Sequence, residues 1–237
     1  MKIGVKTWRS EKFLKHFEKT ADFFEVQAIQ SENYKFLKKF SKPIVIHAEH
    51  SGFGVNPADK TLKKKNLKSI NYAIKIADSI DAKKIILHPG FIKNKNCSEQ
   101  NSIEFIKDLK DKRILIENVV PHNNGLCLTP KQTKNFLKQT NKKFIFDLAH
   151  SILTSNYLKK DYEKTIKEFL KLKPKHFHIS GQKLKSKKDN HNPLKKSDLD
   201  FKKILKLYPK NAEITLETNP SIKNTEEDIE FIRKIIQ

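Results

Sequence analysis

Four short apolar runs in this chain each end on a residue that can bind a metal ion: Pro43-Ile-Val-Ile-His47, Lys84-Ile-Ile-Leu-His88, Ile114-Leu-Ile-Glu117 and Phe144-Ile-Phe-Asp147. Apolar runs of this length are typical of strands buried in a parallel sheet. Burying an unpaired carboxylate or imidazole costs free energy, and binding a metal is one way to offset that cost. A lone histidine after a strand is usually packed or solvated, but recurrence at successive strand ends predicts a metal-dependent active site.

Four further runs of the same kind bring the predicted buried strands to eight: 3–5, 23–26, 44–46, 85–87, 114–116, 144–146, 176–179 and 214–216. Helical patterns lie between them. One apolar stripe runs from Leu62 to Ile80, and Thr129-Pro130 indicates an N-cap followed by proline at the first helical position. Thr225-Glu-Glu-Asp228 indicates a capping box at the start of the last helix. Strands alternating with helices in this number predict a closed (β/α)8 TIM barrel.

The competing fold is an open, doubly wound α/β sheet. That fold places a glycine-rich phosphate-binding turn after an early strand, and this sequence has none. No internal repeat, Pro/Gly linker or break in composition divides the chain. We therefore expect one TIM-barrel domain over residues 1–237, with its active site at the C-terminal ends of the strands.

The net charge of +22 suggests a polyanionic partner, but only three of the 49 basic residues are arginine. A lysine excess of this kind also follows from an A+T-rich or heat-adapted genome, so the charge permits nucleic-acid binding without establishing it. No apolar stretch approaches the length of a membrane span, and the start lacks a signal-peptide pattern. Two cysteines are too few for a disulfide framework. These features predict a cytoplasmic monomer with no membrane or obligate protein partner.

Nine residues form the predicted ligand set: His47, His88, Glu117, Asp147, His150, His178, Asp189, His191 and Glu217. Six come from the ends of the third to eighth strands. His150 is placed in the loop after the sixth strand, and Asp189 and His191 are placed two apart in an extended part of the long loop 180–196, pointing the same way. Zinc usually takes three or four protein ligands, so this set implies two or three ions and at least one bridging carboxylate.

In order, the ligand set and its neighbours resemble endonuclease IV, the apurinic/apyrimidinic endonuclease family of the xylose isomerase-like barrels. The resemblance covers about residues 3 to 236 and rests on His88-Pro-Gly90, Glu117-Asn118, Asp147-Leu-Ala-His150, Asp189-Asn-His191 and Glu217-Thr218. It implies three zinc ions, with manganese or iron as alternatives. Their ligands would be His47, His88 and Glu117; Glu117, Asp147, His178 and Glu217; and His150, Asp189 and His191.

The family implies hydrolysis of the phosphodiester 5′ to an abasic site in damaged double-stranded DNA, as in base excision repair. Glu117 and Glu217 would be the catalytic carboxylates. Phe53, Lys187 and Lys188 are the predicted substrate contacts, since an apolar wedge and loop lysines suit an abasic gap and its phosphates. The loops after His47, His178 and His191 depart from the family pattern. Those departures affect the grip on substrate and leave the metal ligands intact.

The alternative is a sugar isomerase or epimerase of the same superfamily. It would hold one divalent metal through Glu117, Asp147, His178 and Glu217 and move protons beside a carbonyl. Glu25, in the run Phe23-Phe-Glu-Val26, suits that hypothesis, but the arginine expected shortly after His178 is missing. His150, Asp189 and His191 would then have no function. A non-catalytic barrel that binds nucleic acid through lysines alone is disfavoured, because the whole ligand set would be unused.

Overall fold

The computed structural model describes residues 1–8, 10–122 and 124–236. Eight parallel strands close into a barrel in chain order, with β1 paired to both β2 and β8. The predicted (β/α)8 TIM barrel is therefore confirmed. The strands are β1 Lys2–Thr7, β2 Phe23–Gln27, β3 Ile44–His47, β4 Ile85–Leu87, β5 Ile114–Glu117, β6 Lys143–Asp147, β7 His176–Ile179 and β8 Glu213–Leu216.

The helices form the outer layer: α1 Glu11–Phe17, α2 Lys63–Ser79, α3 Glu99–Asp108, α4 Pro130–Thr140, α5 Leu148–Tyr157, α6 Tyr162–Leu170, α7 Phe201–Leu205 and α8 Ile222–Ile236. Short 3-10 helices occupy Lys35–Lys39, Ser51–Phe53, Lys60–Leu62 and Leu194–Lys196. Within the described residues, β2 and β3 are joined through a 3-10 helix alone, whereas β6 and β7 are joined through both α5 and α6. Among the described residues, none of the helices combines the length and the apolar composition that a membrane span requires.

Two helix starts were predicted from local sequence, and one of them is correct. Thr129 caps α4 as predicted, in a capping box with Gln132 whose side chain bonds back to the Thr129 backbone. The predicted start of the last helix at Thr225 is wrong. Helix α8 begins at Ile222, and Thr225 is buried inside it, with its backbone N–H donating to the Ser221 carbonyl. Ser221 precedes the helix instead, and its Oγ accepts from the Asn224 backbone N–H at 3.5 Å, so Thr225 lies within the first turn.

The barrel interior is built in two layers, because residues two apart on a strand point to the same side. The lower layer is an apolar cluster of Phe23, Val45, Ile86, Leu115 and Ile145. Gly4 makes room for it, since a Cβ at Gly4 would lie 2.2 Å from the Phe23 ring. Two residues further along the chain from each member of that cluster come residues of the upper layer: Glu25, His47, His88, Glu117 and Asp147. The ligand types therefore stand above an apolar floor.

Candidate metal centre

A pocket of about 480 Å³ opens at the C-terminal ends of the strands. Seven of the nine predicted ligands line it: His47, His88, Glu117, His150, Asp189, His191 and Glu217. The other two, Asp147 and His178, are almost completely buried and lie within reach of the Glu117 carboxylate or of each other. The fold thus brings together residues that are as much as 170 positions apart in the sequence, from His47 to Glu217.

The first group consists of His47, His88 and Glu117, whose ligand atoms all lie within 4.8 Å of one another. Glu117 Oε2 is 3.3 Å from His47 Nε2 and 3.2 Å from His88 Nε2, yet it is buried without a hydrogen-bond partner. His47 Nδ1 lies 2.8 Å from the Ala48 carbonyl oxygen, which can only accept. In the neutral ring, the Nε2 lone pair then faces Glu117, which is the arrangement a metal ligand needs.

The second group consists of Glu117, Asp147, His178 and Glu217, again with all ligand atoms within 4.8 Å. His178 Nδ1 is 3.0 Å from Glu217 Oε1 and has no hydrogen-bond partner. Its Nε2 lies 2.9 Å from Glu25 Oε2, so the neutral ring donates from Nε2 and presents the Nδ1 lone pair to the carboxylates. Three carboxylates around one imidazole nitrogen suit a divalent cation.

Burial sets the electrostatics of the second group. Burial, with the nearby charges of Glu217 and Glu117, raises the pKa of Asp147 to about 7, although the charge of His150 acts in the opposite direction. Glu117 is buried too, but in the metal-free protein the charges of His88 and His178, when these rings are protonated, hold the pKa of Glu117 well below the ordinary value. A cation among these carboxylates would favour their ionised forms, since an opposite charge within a few ångströms lowers a carboxyl pKa.

The third group joins His150 and His191 through Asp189. Asp189 Oδ2 lies 3.1 Å from His150 Nε2 and 3.2 Å from His191 Nε2, and Asp189 Oδ1 is buried without a hydrogen-bond partner. Each histidine donates from Nδ1 to a backbone carbonyl 2.8 Å away, His150 to Asn118 and His191 to Glu217. Both Nε2 atoms are thereby turned toward Asp189. Among the described residues, the sets with all ligand atoms within 4.8 Å include the first two groups and not this one.

Two local predictions about the third group are wrong. His150 does not lie in a loop: α5 starts directly after β6, and the Asp147 side chain caps it by accepting from the His150 backbone N–H at 2.7 Å. The segment with Asp189 and His191 is not extended throughout, because His191 has φ of 45°, in the left-handed region. That turn still brings the His191 ring back onto Asp189, so the predicted convergence holds through a different backbone path.

The sequence interpretation missed Lys6 and gave Glu25 only to the isomerase hypothesis. Lys6 stands two residues after Gly4 on the inner face of β1, and its ammonium forms ion pairs with Glu217 and, at 3.2 Å, with Glu25. Burial acts to lower the pKa of Lys6, but the charges of Glu217 and Glu25 raise it above the ordinary value. Glu25 also accepts from Thr215 Oγ1 at 2.8 Å. Glu25 could have been recognised as a site residue from the sequence, because it is a charged residue inside an otherwise apolar strand.

His176 lies on β7, two residues before His178, and is one layer deeper in the barrel. It is fully buried, with Nε2 2.8 Å from Thr215 Oγ1 and 3.4 Å from Glu25 Oε2. Burial lowers the pKa of His176 to about 4. A neutral imidazole there supports Glu25 and, through it, the orientation of His178.

The predicted substrate contacts fall into two classes. Lys188 lines the pocket, whereas Phe53 and Lys187 are not among the described residues that line it. The half-buried Phe53 ring instead packs edge-on against His50, with ring centroids 5.1 Å apart, and His50 stacks on His88 at the same separation. Trp8, which the sequence interpretation did not consider, lines the pocket with 57% of its surface exposed.

The profile of the family described as xylose isomerase-like TIM barrel matches residues 9–235. An uncharacterized protein of Methanocaldococcus jannaschii is 24% identical over 218 residues, covering 86% of this chain and 82% of that protein. A solved D-tagatose 3-epimerase-like protein superposes with a TM-score of 0.80 at 20% identity, over 100% of this chain and 97% of its own. Endonuclease IV from Thermus thermophilus gives a TM-score of 0.73 at 16% identity, over 100% of this chain and 99% of its own. At these identities the solved structures share the fold and leave the reaction open.

Proposed function

This chain belongs to the xylose isomerase-like TIM barrel family, and on that premise we propose that it is a metal-dependent phosphodiesterase that incises DNA 5′ to abasic sites. Three zinc ions would be held by the three groups described above, with manganese or iron as possible substitutes. Glu117 would bridge two of the ions. Damaged double-stranded DNA would be the substrate.

The observation that carries this proposal is the convergence of His150 and His191 on Asp189. A one-metal isomerase is complete with Glu117, Asp147, His178 and Glu217. The third group adds two imidazoles, each held at Nδ1 by a backbone carbonyl so that Nε2 faces Asp189. Metal-ligating histidines are typically fixed in this way by a hydrogen bond from the other ring nitrogen.

Phosphodiester hydrolysis suits these residues. Bound metal ions would supply positive charge around the phosphorus and lower the pKa of water from 15.7 to about 7. The chain's own contribution is to fix the ligands: Glu25 and the Ala48 carbonyl set the rings of His178 and His47, and Asn118 holds the Asp147 backbone at 2.8 Å. Preorganised groups need no rearrangement when charge develops in the transition state.

DNA as the substrate is supported by charge and by the pocket rim. The net charge is +22, and Lys188 and the exposed Trp8 both line the pocket. Lysines that bind phosphates release counterions from the DNA, and a tryptophan face can stack on a base or fill a gap in the duplex. A missing base lowers the cost of extruding the nucleotide, which amounts to a few kcal/mol in an intact stack.

The test is incision of a labelled duplex that carries one tetrahydrofuran abasic analogue, by protein loaded with zinc or manganese. We expect cleavage on the 5′ side with a 3′-hydroxyl end, little cleavage of the undamaged duplex, and none after EDTA. Binding should weaken with salt by a log–log slope of about −0.9 per phosphate contact. Absence of cleavage with every metal, together with interconversion of a ketose or aldose in a parallel sugar screen, would contradict the proposal.

A sugar isomerase or epimerase is the second candidate, and one observation favours it. The four residues it needs already have all their ligand atoms within 4.8 Å of one another, whereas the third group does not meet that limit. A single divalent metal on Glu117, Asp147, His178 and Glu217 could polarise a carbonyl while carboxylates move protons beside it. The parallel sugar screen tests this candidate directly.

A further inference from the structure

The ammonium group of Lys6 lies inside the cluster of carboxylates. Its side chain is 14% exposed, and its two carboxylate partners, Glu25 and Glu217, have side chains that are 0% and 6% exposed. Glu25 Oε1 is buried and has no hydrogen-bond partner, so the ammonium 3.2 Å away is its compensating charge. Taking two carboxylates out of water is costly without a cation beside them. Lys6 supplies that cation from the protein itself.

The same two carboxylates belong to a further set of ligand types. Glu25, His47 and Glu217 are all buried, and their ligand atoms lie within 4.8 Å of one another, as in the first two groups. Two carboxylates and one imidazole are a ligand set that zinc accepts. By composition and spacing alone this set could bind a metal ion. Its two carboxylates, however, are already paired with the Lys6 ammonium.

A metal ion in that set would compete with the second group, because Glu217 belongs to both. The competition would also extend to the first group through His47. Two cations sharing one carboxylate need a bridging geometry, and otherwise the occupied site withdraws the ligand from the other. A lysine between Glu25 and Glu217 removes the conflict, since its charge satisfies both carboxylates and coordinates nothing.

We propose that Lys6 is a placeholder cation: its ammonium takes the place of a fourth metal ion between Glu25, His47 and Glu217. His47 is thereby kept for the first group and Glu217 for the second. Lys6 is thus a positioning residue that acts through Glu217. Lysine carries its positive charge at neutral pH, so the position is closed whether or not metal is present. A merely structural ion pair would stabilise the barrel without controlling how many ions it binds.

Zinc content measures this directly. Lys6→Met keeps an unbranched side chain only one atom shorter and removes its charge, and Lys6→Arg keeps the charge. After dialysis against a fixed free zinc concentration, we expect Lys6→Met to bind about one zinc per chain more than the wild type. Lys6→Arg should bind as many as the wild type. Unchanged or reduced zinc in a folded Lys6→Met protein overturns the proposal. Lys6→Gln replaces it if circular dichroism shows that the methionine variant does not fold.

A second arm removes a lysine charge elsewhere in the barrel. Lys84 pairs with Glu213, which belongs to none of the ligand groups among the described residues, so Lys84→Met should keep the wild-type zinc content. A gain of zinc in Lys84→Met as large as in Lys6→Met would show that the extra ion follows from the lost charge alone, and would also overturn the proposal. The inference rests on the metal-binding half of the proposed function and uses no DNA. A protein that failed to incise abasic DNA but gained zinc in Lys6→Met would contradict the proposed reaction and support this role for Lys6.

Discussion

His150 Nε2 lies 3.1 Å from Asp189 Oδ2, although the first residue is in the opening turn of helix α5 and the second stands in the loop after β7. Neither residue belongs to the four-ligand group that a one-metal isomerase would use. Burial acts to raise the pKa of Asp189, but hydrogen bonds from His150 and His191 hold it below the ordinary range. An ionised carboxylate between two oriented imidazoles is what a third metal would require.

Glu117→Gln should abolish activity while the barrel still folds. The substitution removes the charge shared by the first and second groups, so both ions should bind more weakly. We expect a loss of at least ~100-fold in turnover, because each tenfold corresponds to about 1.4 kcal/mol and a Lewis-acid metal contributes several kcal/mol. Incision rate and zinc content are measured beside Glu104→Gln, an exposed residue of α3 that serves as the matched control. Retention of more than a tenth or so of the activity, roughly 1.4 kcal/mol, would exclude the bridging role.

Asp189→Asn and His191→Ala should each remove about one zinc per chain and cripple incision, because a site with three protein ligands cannot spare one. Asn190→Ala is the control between them, since its contact to Asn219 uses the backbone carbonyl rather than the side chain. Elemental analysis and incision are compared across the three variants. Wild-type zinc content in both Asp189→Asn and His191→Ala would favour the isomerase hypothesis.

The metal-free protein should lose stability as pH rises from about 6.5 to about 9. Burial lowers the pKa of His191, but the Asp189 hydrogen bond and charge raise it to about 9 from 6.5. A raised histidine pKa contributes stability that is complete below the unfolded value and is lost as pH passes the folded value. Zinc needs the neutral ring, so the stabilisation by zinc should grow over the same range.

Melting temperatures of EDTA-treated and zinc-saturated protein at pH 6.5, 7.5 and 8.5 check this expectation. The variant His191→Gln separates the effect of His191 titration from that of the falling net charge of the lysine-rich surface. In the metal-free protein, its melting temperature should decline less with pH than that of the wild type. A metal-free melting temperature that rises with pH in the wild type, and by the same amount in His191→Gln, would show that the Asp189–His191 pair contributes nothing.

Trp8 should report substrate binding. It is the chain's only tryptophan, 57% exposed at the pocket, and its backbone carbonyl accepts from Tyr34 Oη at 3.1 Å. Titrating Glu117→Gln protein with an abasic duplex should quench or shift its fluorescence to saturation, with a weaker response to undamaged duplex. Base–aromatic stacking contributes about 1–3 kcal/mol, so Trp8→Ala should weaken binding by at least about fivefold and Trp8→Phe by less. Unchanged fluorescence while anisotropy of the labelled DNA shows binding would place Trp8 away from the substrate.

The apolar runs predicted all eight strands, because a parallel strand that is buried on both faces has a nearly continuous apolar sequence. The grouping of the candidate ligands could be predicted from these strands, since the last residues of adjacent parallel strands lie at the same end of the barrel. Lys6 could not be found this way: nothing local separates one inward lysine from the many on the surface, and its partners are 19 and 211 positions away. The sequence analysis placed His150 in a loop because it assigned Asp147 only the role of a metal ligand. Asp147 is also the N-cap of α5, so the helix begins directly after it.

Counting the zinc ions bound to each wild-type chain tests the central claim most directly, because it separates the two candidate reactions before any substrate is chosen. Protein is stripped with EDTA, reloaded at a fixed free zinc concentration, freed of weakly bound metal and measured by elemental analysis against amino-acid analysis. The three ligand groups predict about three ions per chain. One ion per chain, unchanged by Asp189→Asn, would contradict the trinuclear centre and assign the barrel to single-metal chemistry.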